Sequence, residues 1–252
     1  MSPIRHKLSM LLFLLLTACS TVPEQPVEQG MAVERFMAYQ RSWYQTPRHW
    51  LVNGIMEVES PETGGRRHRV TLVGEGTRRV RMTIWGPFQQ QVGELWLDES
   101  QISLIHKQQH EVWQTAATAA GLFRLAQLRV APQQLVQAVL ALSSLSELVP
   151  GEGGWFSLGE EKIRLDQQGR LLVREGQQSD YPYTIIYQWP ALEAIMPGKV
   201  GLTLGDAHKL EFTWQDWRFP DRKSGEEMLV FQPPETFRRI ILPEYGEAYA
   251  LP

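Results

Sequence analysis

Residues 67–85 read RHRVTLVGEGTRRVRMTIW. Two runs in this stretch, Arg67–Gly74 and Arg78–Trp85, read as strands joined at Gly74-Glu75-Gly76, and the second alternates apolar and polar residues. A period of two marks a strand whose faces see different environments, and glycines between two such runs mark a reversal. In the second run Val80, Met82 and Ile84 face one way, and Arg79, Arg81 and Thr83 the other. The pattern extends outward on both sides. Before it, Trp50–Glu59 places Val52, Met56 and Val58 on one face and ends at Pro61-Glu62-Thr63-Gly64-Gly65. After it, the break Gly86-Pro87-Phe88 leads to Val92–Asp98, Gln101–Lys107 and the short Glu111–Thr115.

The period then changes. Ala116–Gln127 is rich in Ala and reads as helix, and Pro132 suits the first position of another. Leu135, Val136, Val139, Leu140 and Leu142 give that second helix a broad apolar stripe, and Pro150–Gly154 closes the insert. Alternation resumes in Lys162–Asp166 and Arg170–Glu175, a hairpin around Gln167-Gln168-Gly169. Tyr183–Trp189 follows, with Tyr183, Ile185, Tyr187 and Trp189 on one face, then Lys199–Leu204. His208–Phe219 opposes Leu210, Phe212 and Trp214 to Glu211, Thr213 and Gln215, and Phe237–Leu242 is the last run. Ahead of all strands, Met31–Tyr44 reads as a helix, with Val33, Phe36, Met37, Trp43 and Tyr44 on one side and Pro47 beyond its end.

Successive strands joined by short turns form antiparallel meanders, and one large twisted sheet curls towards a barrel. The expected fold is therefore mainly β, a single incomplete antiparallel β-barrel of about eleven strands. The helices, with apolar faces to bury, form a lid over its hollow. Residues 33–242 are expected to form this one domain, with residues 243–252 as a tail.

Residues 1–18 hold a basic start (Arg5, His6, Lys7) and the apolar run Leu8–Leu16, too short to span a bilayer, which takes about 20 residues. That order is the order of a secretory signal. Leu16-Thr17-Ala18-Cys19 resembles the lipobox of bacterial lipoproteins, and Cys19 is the only Cys in the chain. The resemblance implies cleavage before Cys19 and acylation of its thiol. Ser20, rather than Asp, follows it, and in that family this implies the outer membrane, facing the periplasm. Residues 19–32, polar and holding Pro23 and Pro26, read as a tether; ten to twelve residues reach at most roughly 35–40 Å.

Loss of residues 1–18 removes Arg5 and Lys7, leaving 23 basic against 28 acidic residues, a net of −5. Overall charge thus argues against a nucleic-acid binder. With Cys19 acylated, no disulfide and no thiolate chemistry remain.

Catalytic signatures are missing: the sequence holds no Gly-x-Ser-x-Gly and no His-Glu-x-x-His. His106 and His110 flank a turn, without a third ligand nearby. No enzyme activity, cofactor or metal is expected. The basic residues Arg66, Arg67, His68, Arg69, Arg78, Arg79 and Arg81 sit on two neighbouring strands, either as a surface for anionic headgroups or as a solvated face.

A lipobox, a leading helix, about six strands, a helical insert and about five more strands resemble the LolA/LolB-like lipoprotein carriers, and LolB-like receptors most, because these are themselves lipoproteins. The resemblance covers roughly residues 33 to 242. It implies an open apolar barrel that receives or inserts lipoproteins by holding acyl chains, with a soluble LolA-like carrier as candidate partner. The candidate ligand-binding residues are Val52, Met56, Val80, Met82, Ile84, Tyr187, Phe212 and Trp214, which serve equally well as ordinary core. Phe88, after Pro87, stands where that family carries an apolar tip between its third and fourth strands. It is the candidate membrane contact, or else an aromatic tucked under the sheet. The family pattern Pro-Leu-Gly is here Pro-Phe-Gln. A monomer is expected, bound to the membrane through Cys19. The alternative is an anchored adaptor with a filled core.

Overall fold

The structure is a computed structural model that describes residues 29–46, 48–60, 64–126, 128, 130–178, 181–205 and 208–243. The expected signal segment, Cys19 and most of the expected tail lie outside the described residues.

The first helix, α1, spans Gln29–Gln45. Six strands follow: β1 (His49–Ser60), β2 (Gly64–Glu75), β3 (Arg79–Trp85), β4 (Gln91–Leu97), β5 (Gln101–His106) and β6 (Glu111–Ala116). The insert carries α2 (Ala119–Ala126) and α3 (Pro132–Val139). Then come β7 (Leu148–Pro150), β8 (Trp155–Leu158), β9 (Glu161–Leu165), β10 (Leu171–Gln178), β11 (Tyr181–Gln188), β12 (Lys199–Leu204) and β13 (His208–Arg218). A fourth helix, α4 (Arg222–Met228), precedes β14 (Arg238–Ile241).

The fourteen strands of the described residues all belong to one sheet, in the order β14-β6-β5-β4-β3-β2-β1-β13-β12-β11-β10-β9-β8-β7. The expected count of about eleven is too low. β7 and β8 are three and four residues long and flank Gly151–Gly154, so neither is long enough to show alternation. The expected antiparallel pairing holds except at one edge, where β14 joins β6 in parallel. The sheet is open, because its outer strands β14 and β7 pair with different neighbours.

β1 is the seam, pairing with β2 on one side and with β13 on the other. The helical insert therefore leaves from near one edge of the sheet, at β6, and re-enters at the other, at β7. It must cross a face of the sheet to do so, and it crosses the inner one. Leu122 of α2 and Val136 and Val139 of α3 bury there, together with Trp50, Val52, Leu72, Val80 and Ile102. The chain after β13 crosses the outer face instead. Arg81 donates to Met228 O at 3.3 Å, and the Trp96 and Phe231 rings lie 5.3 Å apart.

Two glycines let the seam close. Trp50 is fully buried and lies flat against Gly74, where a Cβ would stand 2.3 Å from the indole. At the bulge between Asn53 and Gly54, a Cβ on Gly54 would stand 2.5 Å from Thr213 O.

α1 fills the half of the sheet built from β7–β13. Its buried face is Ala32, Phe36, Gln40 and Trp43. Gln40, a polar residue in the middle of that face, faces the end of the insert, residues 140–143, which is itself buried. Buried carbonyls must find donors, and all four do. Tyr39 donates to Leu140 O at 2.7 Å, Gln40 to Ala141 O at 3.1 Å, Arg174 to Leu142 O at 2.9 Å and Tyr44 to Ser143 O at 2.7 Å. The Gln40 side-chain oxygen accepts from Ser143 N at 2.8 Å. Ala141 holds a φ of 51°, a left-handed conformation rare for a residue with a Cβ. Arg174 is in turn paired with Glu161 at 2.5 Å. These bonds pin the insert across the inner face.

Candidate functional site

The half of the sheet built from β1–β6 is not filled in the same way. Between its inner face and α2 lies an open cavity of about 480 Å³. Met56 and Val58 of β1, Met82 and Ile84 of β3, Leu95 of β4 and Leu104 of β5 supply its walls, and Leu125 and Leu128 its roof. These wall residues meet because cross-strand partners share a face: Val58 pairs with Arg66, Met56 with His68, Ile84 with Gly93, and Met82 with Leu95. Gly93 widens the space, since it offers no side chain where its neighbours do.

Deeper in, Met82 and Leu95 also border a small apolar recess of about 40 Å³. Trp50, Leu72, Val80 and Phe212 form its floor, and Leu122, Val136 and Val139 its roof. The two spaces share Met82 and Leu95 as a common wall.

The mouth lies where β1 ends, β2 begins, β3 ends, β4 begins, β5 ends and β13 begins. Arg66, His68, His106 and His208 line it. Arg66 and His68 stand opposite Val58 and Met56, and His208 lies on the same strand face as the buried Leu210 and Phe212, so these three face inward. Nδ1 of His106 accepts from Gln109 N at 3.3 Å, so the ring proton of the neutral form sits on Nε2, which is left to donate.

Of the eight apolar residues expected to bind ligand, Met56, Met82 and Ile84 line the open cavity, and Val80, Met82 and Phe212 line the recess. Val52 is fully buried in the seam. Tyr187 and Trp214 are buried outside both spaces. Trp214 stacks on Phe212 with ring centroids 4.8 Å apart.

Phe88 is exposed at 88%. Its turn is held by hydrogen bonds from Gly86 N to Gln90 O (2.8 Å), from Gln89 N to Gly86 O (3.1 Å) and from Phe88 N to the Gln90 side chain (2.9 Å). Phe88 therefore projects from a fixed turn at the mouth end of the sheet.

The basic cluster seen in sequence is split. Arg66 and His68 face the cavity. Arg67 pairs with Glu57 on the outer face (3.2 Å). Arg78, Arg79 and Arg81 lie towards the opposite end of their strand, paired with Glu99 (3.5 Å), Glu75 and Glu94 (3.3 Å). The mouth gains His106 and His208 instead, which alternation alone does not bring together because they sit on β5 and β13. Among the described residues, no group of three His, Cys, Asp or Glu side chains is placed to hold a metal ion.

No family model matches the sequence, and no curated protein matches it. The fold does have solved counterparts. A LolA superfamily protein from Nitrosomonas europaea superposes with a TM-score of 0.51 at 9% identity, covering 79% of this chain and 97% of that one. A DUF1329 family protein from Desulfovibrio piger superposes with a TM-score of 0.50 at 8% identity, covering 76% and 94%. At such identities the likeness speaks to the fold alone: this chain, mainly β with one large open sheet, has a LolA-like fold.

Proposed function

We propose that this protein is a non-catalytic, outer-membrane lipoprotein that faces the periplasm, anchored through acylated Cys19 after removal of residues 1–18. Its LolB-like domain, residues 33–242, holds acyl chains of a lipid or lipoprotein in the cavity under α2, delivered by a soluble LolA-like carrier. Met56, Val80, Met82, Ile84 and Phe212 are the binding walls, and α2 and α3 are the lid. The observation that carries this reading is the apolar cavity of about 480 Å³, within the ~300–1,000 Å³ common for small-molecule sites.

Such a site needs no polar constellation, because burial of aliphatic surface is non-directional. It does need length. A tail of about fifteen methylenes gains roughly 12 kcal/mol at ~0.8 kcal/mol each. Association costs at least ~4 kcal/mol in lost freedom, leaving about 8 kcal/mol, or roughly micromolar affinity. A tail of about seven methylenes gains roughly 6 kcal/mol and is left with about 2, too little to hold.

The test is to fill the cavity. Ile84→Trp places an indole where the tail would lie. The expected result is loss of binding of a long-chain fluorescent fatty acid with an unchanged melting temperature. Undiminished binding by a folded Ile84→Trp protein would contradict the assignment.

A further inference from the structure

We propose that the cargo of this cavity is an amphiphile with an anionic head, and that Arg66, His68, His106 and His208 receive that head at the mouth. The inference rests on the acyl-binding reading and adds the class of headgroup to it. The walls are apolar, yet the inner-facing polar side chains at the mouth include one permanent cation and three imidazoles, from three different strands. Arg66 supplies a fork of N–H donors suited to a phosphate or carboxylate, and a neutral imidazole still offers one N–H.

Among the described residues, the nearby carboxylates do not oppose this. Glu59 borders the mouth but alternates with the inward Val58, and Lys209 stands 3.8 Å from it. Glu111, the cross-strand partner of His106, accepts from Trp113 Nε1 at 2.8 Å and from Arg238. The described residues of the mouth thus carry net positive character next to low-dielectric walls, an arrangement that concentrates the field on an entering anion. A zwitterionic choline head would bring its own cation against Arg66. An uncharged glyceride head would leave the guanidinium without a counter-charge. Phe88 stands at the same end of the sheet, so a head held there would sit level with the surface from which the tail enters.

The test uses the full chain carrying Cys19→Ala, loaded with the uncharged hydrophobic dye N-phenyl-1-naphthylamine. Dodecyl phosphate, dodecanoate and dodecyl maltoside share a tail and differ in the head. The expected result is displacement by the two anionic amphiphiles at concentrations about tenfold or more below the uncharged one, the fold-change of a single charge-assisted hydrogen bond. Displacement by only one of the two would identify the head as phosphate or as carboxylate. Inorganic phosphate in excess is expected to leave the dye in place, and release of dye by it would overturn the proposal in favour of a free-anion site. In Arg66→Gln/His208→Gln, with an unchanged melting temperature, the preference is expected to shrink to about twofold while dodecyl maltoside displaces as before. Equal displacement by all three amphiphiles would overturn the headgroup assignment while leaving acyl binding standing. A chain that takes up neither dye nor amphiphile would overturn both.

Discussion

Phe88 offers a perturbation whose cost to the fold and effect on membrane binding can be separated. Its side chain is 88% exposed, and the turn that carries it is held by main-chain bonds and by Gln90 rather than by the ring. Phe88→Ser should therefore change stability by less than about 0.5 kcal/mol, as surface substitutions do. If the ring enters a bilayer, its removal forfeits roughly 1.5–3 kcal/mol of burial. That range corresponds to about a 12- to 150-fold fall in partitioning, and a ring that reaches only the headgroup boundary should give the lower figure. The assay is co-sedimentation of the Cys19→Ala chain with vesicles of phosphatidylethanolamine and phosphatidylglycerol, with melting temperature measured in parallel. Leu192→Ser is the control. Leu192 is 71% exposed, but its loop joins β11 to β12, at the end of the strands away from the mouth. Partitioning that is unchanged in Phe88→Ser, or lost equally in Leu192→Ser, would refute the role of the tip.

Two further expectations concern the scaffold. Gln40→Leu leaves Ala141 O and Ser143 N buried without their partner, at about 1–3 kcal/mol each, and should lower the urea midpoint without changing the slope; an unchanged midpoint would show that the insert is not pinned by α1. Burial pushes the phenols of Tyr39, Tyr183 and Tyr187 above their usual range, and in Tyr183 the bond to Glu161 adds to the effect. The native chain then holds protons that the unfolded chain releases above about pH 10, so stability is complete below that pH and falls as pH rises through it. An alkaline titration followed by tyrosinate absorbance and circular dichroism should show these groups ionising only as the fold is lost. Ionisation of all seven tyrosines near pH 10 with the fold intact would contradict their burial.

The sheet was largely legible because long strands with one buried face write a period of two into the chain. Trp50–Glu59, Arg78–Trp85 and His208–Phe219 all lie within a residue or so of the strands that form. What escaped has identifiable causes. β7 and β8 are shorter than the period needs. α4 is polar and begins at Asp221, whose side chain accepts from Ser224 N, and its buried residue is a glycine rather than an apolar side chain. β14 gains its place by crossing the outer face, a tertiary event with no local signature. Gln40 and Arg174 look like surface residues in sequence, and only the buried carbonyls of 140–143 explain their burial.

The candidate site was half legible. Met56, Met82 and Ile84 follow from alternation, but whether a face is packed or hollow depends on what the opposite layer supplies. In one half α1 fills the space with Phe36 and Trp43, and in the other α2 leaves it open. Tyr187 and Trp214 have the same pattern in sequence and lie outside the cavity for that reason. The mouth was hidden further, since Arg66, His68, His106 and His208 come from β2, β5 and β13, brought to one end only by the pairing order. His68 and Arg66 share β2 and were visible as part of a basic run, yet their inward face separates them from Arg67 and Arg69.

The central claim is that the cavity under α2 holds acyl chains. Native mass spectrometry of the full chain carrying Cys19→Ala, followed by solvent extraction of whatever lipid it retains, tests this most directly. The account predicts a retained long-chain lipid that is absent from Ile84→Trp. A wild-type chain that emerges empty and also refuses a long-chain fatty acid added in excess would contradict it, and would leave a LolA-like scaffold that serves as an anchored adaptor.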